Sequence, residues 1–133
     1  MRPNTKQRAK EDRLARKDRF AFSMEFPLCW ICGSVRNLQI HEIVGGAGRR
    51  WGYANREAWI QVCQTCHLER FIHDGERWDD LDKLVLQYAL KQFRDPDWYD
   101  REELNVRRGR APGAISEEEV RLALTEVLEV IHP

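Results

Sequence analysis

The chain has 133 residues, 42% of them apolar, and its 22 basic residues are balanced by 22 acidic ones; that length suits one domain with one modest core. Net charge therefore argues neither for nor against a polyanionic partner. No window approaches the roughly 18 consecutive apolar residues of a membrane span, and the start lacks the apolar core of a signal peptide. A soluble, cytoplasmic protein with no membrane partner is expected.

Residues 1 to 24 form a basic arm, in which Arg2, Lys6, Arg8, Lys10, Arg13, Arg16, Lys17 and Arg19 outnumber Glu11, Asp12 and Asp18. The arm lacks the apolar spacing of a packed helix, so it is expected to be flexible, with Lys10 and Arg13 available to phosphates. A solvated charged helix is the alternative. Pro27 marks the entry to an ordered module over residues 25 to 76. In it, Leu28 to Gly33 reads as a metal knuckle, and Asn37 to Val44 alternates as a strand with Leu38, Ile40 and Glu42 on one face. Gly45, Gly46 and Gly48 beside Arg49 and Arg50 predict a flexible loop outside the core. Ala58 to Val62 is a second short strand, and Thr65 to Ile72 has helical spacing.

Residues 77 to 133 read as a helical extension. Trp78 to Arg94 is an amphipathic helix that ends before Pro96, with Leu81, Leu84, Val85, Tyr88, Ala89 and Gln92 or Phe93 at three- and four-residue steps. A loop covers 107 to 115. Ser116 and Glu119 form a capping box that opens a last helix, whose stripe is Val120, Leu124, Val127, Leu128 and Ile131. The fold class expected is α+β: a small ββα module stapled by metal, followed by helices.

Two Cys-x-x-Cys pairs, Cys29 with Cys32 and Cys63 with Cys66, are the most specific signal. In a reducing compartment structural disulfides are disfavoured, and two such turns supply the four thiolates of a tetrahedral zinc site. A thioredoxin-like redox pair would need one motif at a helix start in an α/β pattern, and an iron-sulfur cluster has no supporting spacing. Four sulfur ligands close the coordination sphere, so this zinc is structural. Chemistry is then expected among His41, Glu42 and His67, which lie between and just after the knuckles.

The run CWICG, then NLQIHEIV, then CQTCH resembles HNH endonucleases of the His-Me finger (ββα-metal) class over residues 28 to about 75, and is similar to phage and prophage HNH-like proteins that carry a His-Glu-Ile motif. The resemblance implies a β-hairpin followed by a helix, with His41 and His67 binding a second divalent ion: magnesium, manganese, nickel or zinc. Glu42 falls where that family has its general-base histidine. The family's asparagine aligns near Ala58 or Trp59, with Asn55 as a shifted substitute, and a further histidine aligns with Phe71, leaving His73 and Asp74 out of register. Glu42 is then a third ligand or the base, a weaker one than imidazole.

The resemblance implies metal-dependent hydrolysis of DNA, double-stranded, nicked or branched, by an endonuclease or nickase, with Arg49, Arg50, Lys10 and Arg13 on phosphates. It also allows a protein partner from a phage packaging or recombination system. The alternative is a catalytically inactive HNH-like zinc module that binds nucleic acid or protein. Bland roles stand beside each assignment: His67 bonded within its knuckle, His41 in the core, Glu42 solvated on its strand.

Overall fold

A computed structural model describes residues 5–70, 72, 80–109 and 114–131. It is α+β, with five α-helices and one two-stranded antiparallel sheet among those residues. The helices are α1 (Thr5–Glu25), α2 (Arg49–Ala54), α3 (Asp80–Arg94), α4 (Arg101–Arg107) and α5 (Glu117–Val130); the strands are β1 (Leu38–Glu42) and β2 (Trp59–Cys63). Among the described residues, no helix is long and apolar enough to cross a membrane.

The hairpin begins at Asn37, which adopts a left-handed φ of 52° that asparagine tolerates better than most residues. Its carbonyl accepts from Gln64 N–H (2.9 Å), while Ile43 N–H donates to Ala58 O (2.7 Å), extending the ladder at both ends. The register pairs Leu38 with Cys63, His41 with Ile60 and Glu42 with Trp59. Every residue of β2 is buried and every residue of β1 is half-buried, so β2 is the inner strand. Because alternate residues face opposite sides of a sheet, Gln39 and His41 share one face of β1, and Leu38, Ile40 and Glu42 the other.

The expected loose arm is instead a helix of 21 residues. Its docking rests on few residues: Ala15 and Phe22 are buried, and Phe22 lies 5.0 Å from Phe26, 5.7 Å from Trp30 and 5.5 Å from Trp59, centroid to centroid. With so little of the helix buried, apolar spacing is faint in the sequence, which accounts for the difference. The glycine-rich segment lies outside the core as expected, with Gly45 and Gly46 exposed, and differs from the expected loop in that Arg49 and Arg50 begin α2. A single 3₁₀ turn (Gly46–Gly48) leads into α2, and Gly52 is buried where the backbone runs so close to Val44 that a Cβ would sit 2.5 Å from its carbonyl oxygen.

The helix α3 occupies the middle of the molecule. It packs against β2 and α5, and Val85 through Lys91 are buried without interruption; it ends at Arg94, before Pro96, as the sequence predicts. Of the two residues expected to end the packed face, Gln92 is half-buried and Phe93 is 41% exposed; Trp78 falls outside the described residues. The Ser116 capping box forms as read, with Val120, Val127 and Ile131 buried, Leu124 half-buried and Leu128 turned out to solvent. An unforeseen helix, α4, takes Arg107 at the start of the expected loop at 107 to 115, of which residues 110–113 lie outside the described residues. Its Asn105 accepts from Tyr88 Oη (2.9 Å) and donates to the Ile115 carbonyl (2.8 Å).

At the centre lies Lys91, wholly buried, with its three ammonium donors used by Arg56 O (2.6 Å), Trp59 O (2.9 Å) and Asp95 Oδ2 (2.8 Å). Asp95 in turn receives both nitrogens of a bidentate Arg56, which also meets Glu25 at 2.5 Å. This network ties α1, β2 and α3 together. Burial pulls the Lys91 ammonium down to about 8 from 10.5, so the unfolded chain holds this proton more firmly. The Lys91 contribution to stability is thus lowest below pH 8 and rises as pH climbs toward 10.5. Lys91→Met, which strands Asp95 with one partner fewer, should cost about 3 kcal/mol in urea unfolding at pH 7, and the wild-type advantage should widen at pH 10.

Candidate functional site

The first knuckle forms because the chain turns back on itself: Gly33 takes a φ of 77° and donates to the Cys29 carbonyl at 3.0 Å, while Cys29 N–H donates to Ser34 O at 2.8 Å. The amides of Ile31 and Cys32 point at Cys29 Sγ (3.4 and 3.5 Å), and that of Cys66 points at Cys63 Sγ (3.5 Å). Such N–H groups stabilise negative charge on sulfur. Trp30 N–H bonds to Gln61 O (2.8 Å) and Gln61 Nε2 to Phe26 O (3.0 Å), which fastens the knuckle to β2.

As expected, Cys29, Cys32, Cys63 and Cys66 form a group positioned to hold a metal ion, with their sulfur atoms within 4.8 Å of one another. A tetrahedron with 2.3 Å metal-sulfur bonds has edges of about 3.8 Å, and Cys32 and Cys63 lie 3.6 Å apart. The proton balance also fits. Hydrogen bonding from Cys66 holds the Cys29 thiol down to about 4, the same contact pushes Cys66 far up, and burial raises Cys32. One thiolate is thus sustained by its neighbours' protons; four require a cation in place of those protons. Three of the four cysteines are buried, so an ion there is screened from solvent and serves the fold.

On the next step of chain, a π-helical turn over Thr65–Arg70 carries His67. It brings His67 Nε2 to 3.0 Å from His41 Nδ1. Each ring is held from its other side: His67 Nδ1 donates to Gln39 Oε1 at 2.7 Å, and His41 Nε2 donates to Gln87 Oε1 at 2.8 Å. With the outer nitrogens donating to the glutamine oxygens, the inner nitrogens of the two rings face each other. Two lone pairs at that distance hold together around a cation, whether a proton or a metal ion.

Neither glutamine figured among the sequence candidates. Gln39 had a signal, since it stands two residues before His41 and so shares its face. Gln87 had a fainter one, as a polar residue within the otherwise apolar run VLQYAL, four residues before Lys91; in the structure it is 4% exposed. The helical extension therefore supplies part of this site.

Glu42 lies apart from the histidine pair. Its strand position turns it toward α1, where Arg19 approaches its carboxylate at 3.8 Å. It borders two shallow clefts, one shared with His41, Lys83 and Gln87 and another with Arg8, Arg49 and Tyr53. Arg19 was also missed by sequence reasoning; its guanidinium stacks 4.4 Å above the Tyr53 ring and donates to the Tyr53 carbonyl at 3.2 Å.

The predicted phosphate contacts divide. Lys10 and Arg13 are exposed on α1, and Arg49 is exposed at the start of α2. Arg50 meets Glu11 at 2.7 Å and Asp12 at 3.9 Å. Asn55 donates to the Trp51 carbonyl at 2.8 Å, closing α2, and Ala58 and Trp59 are buried. Phe71, His73 and Asp74 lie outside the described residues.

Compared with family models, with curated proteins and with solved structures, the chain finds no match in any of the three.

Purified protein should carry one equivalent of zinc by elemental analysis, and replacing it with cobalt should give the intense visible absorption of a tetrahedral thiolate site. Cys63→Ser should abolish that spectrum and lower the unfolding midpoint sharply. A wild-type protein that folds equally well after metal is stripped would contradict a structural ion.

Proposed function

We propose that the chain hydrolyses phosphodiester bonds in DNA, as an HNH-type endonuclease or nickase with a divalent ion held between His41 and His67. The observation that carries this reading is the pair of inner ring nitrogens 3.0 Å apart, each ring braced by a glutamine carbonyl from behind. Two nitrogens on one ion with 2.1 Å bonds stand about 3.0 to 3.4 Å apart, from octahedral to tetrahedral angles. Hydrogen bonds behind ligating histidines fix ring orientation and proton position, and they raise ligand affinity. The order β1, α2, β2, helical turn, stapled by four cysteines, also supports the HNH resemblance drawn from CWICG, NLQIHEIV and CQTCH.

His41 and His67 would hold the divalent ion, which when bound would supply Lewis acidity to the scissile phosphate. The chain's own part is to orient His41 through Gln87 and His67 through Gln39, and to place a carboxylate nearby. Glu42 accepts the proton of the attacking water in this reading, a task that requires its side chain to reach into the cleft it shares with His41. DNA as substrate, and a phage packaging or recombination system as its setting, follow from the resemblance.

The contact between Glu42 and Arg19 on the opposite face favours a second reading, a silent zinc module that binds nucleic acid or protein. A plasmid assay separates them. With magnesium, manganese or nickel added, supercoiled DNA should be nicked by the wild type, and His41→Ala should remove the activity. Gln87→Ala should raise the metal concentration needed for half-maximal nicking by 10- to 100-fold, and Glu42→Ala should lower the rate at saturating metal. Folded, zinc-loaded protein that nicks nothing with any of these ions would select the binding module.

A further inference from the structure

The helix α1 has an outward face whose composition the balanced charge of the whole chain conceals. Lys6, Lys10, Arg13, Lys17, Phe20 and Met24 succeed one another at steps of four, three, four, three and four residues, which is a single stripe on an α-helix. All six are exposed, Phe20 at 69% and Met24 at 66%, and exposed Arg16 flanks the stripe. No carboxylate interrupts it. The four acidic residues of α1 are turned inward or sideways: Glu11 and Asp12 meet Arg50, Glu25 meets Arg56, and Asp18 borders a cleft lined by Asn55 and Arg56. The negative charge of this helix thus lies beside or behind the stripe, mostly in ion pairs, and the stripe itself is purely cationic before ending in two exposed apolar side chains.

We propose that this face is a rail for nucleic acid with unpaired bases, its cations lying along successive phosphates and Phe20 stacking on a base. From Lys6 to Lys17 the stripe runs about 16 Å at 1.5 Å per residue, and a cationic track followed by an aromatic platform is the general solution for single strands. An anionic membrane fits less well. A helix that lies in a bilayer surface keeps its apolar and cationic residues on opposite faces, whereas here they share one face and the opposite one is buried in protein. Self-association through this face is opposed by the repulsion of its cations.

The rail lies across the sheet from the histidine pair. Arg19 and Phe22 of α1 reach Glu42 and Trp59, cross-strand partners that share the face opposite His41. The rail therefore anchors a strand at a distance from the histidines. It deepens the nucleic-acid reading above and rests on it only for the class of ligand.

The test is fluorescence anisotropy of the zinc-loaded full chain with a labelled thymidine oligomer and a duplex of equal length, across a salt series and with no divalent ion added. Failure of metal-dependent cleavage leaves this measurement untouched. The single strand should bind more tightly than the duplex, with a log-log salt slope near about −3.5 for five cations. Replacing Lys6, Lys10, Arg13 and Lys17 together by alanine should weaken binding at least tenfold and flatten the slope by about 3. Exchanging Lys for Arg and Arg for Lys at the same four positions should preserve it. Phe20→Ala should weaken the single strand about tenfold and leave the duplex unchanged. Wild-type affinity in the alanine set, equal single-strand affinity with and without Phe20, or co-sedimentation with phosphatidylserine vesicles in place of oligomer binding would each overturn the rail.

Discussion

The convergence of four cysteine sulfurs is the constraint on which the rest of the structure depends. Cys29 and Cys32 precede the hairpin, Cys63 ends β2, and Cys66 sits within the turn that follows. Holding these four points together closes the hairpin across its open end and sets the direction in which the chain leaves β2. His67 is the next residue after Cys66, so its ring is aimed by the same clamp. His41 is placed separately, by the register that sets it opposite Ile60. The histidine pair is therefore the meeting of two independent determinants, one a sulfur cluster and the other a strand ladder.

A second layer of constraint is ionic. Lys91, Asp95 and Arg56 form a buried chain of charge-assisted hydrogen bonds between α3 and the segment that enters β2. Buried charges are retained only where every donor and acceptor is satisfied, and here the Lys91 ammonium finds three acceptors. The result is an orientation of α3 that an apolar interface alone would leave free to slide. Gln87 lies one helical turn before Lys91, so the network that seats the lysine also presents the glutamine to His41.

What the sequence disclosed follows from how local each signal is. The cysteine pairs, the two strands, the end of α3 and the Ser116 capping box all depend on residues within a few positions of each other, and each was legible. The packing of α1 was not, because one aromatic residue, Phe22, carries most of it through contacts with Phe26, Trp30 and Trp59. Nor were Gln87 and Arg19 as neighbours of His41 and Glu42, since those contacts cross 46 and 23 positions of chain. Gly52, which carried no signal of its own in the sequence, marks the close approach of two backbones.

That close approach bears on how such a chain can diverge. A side chain at Gly48 would meet Val44 Cγ1 at 2.5 Å and the Arg107 carbonyl at 2.6 Å, and one at Gly52 would meet the Val44 carbonyl at 2.5 Å. Both collisions involve backbone that the sheet and α4 hold in place. These two positions therefore accept no side chain unless that backbone moves, whereas the exposed cations of α1 meet no such steric limit. A substitution at either glycine would thus disturb the path between β1 and β2 without touching a histidine or an arginine.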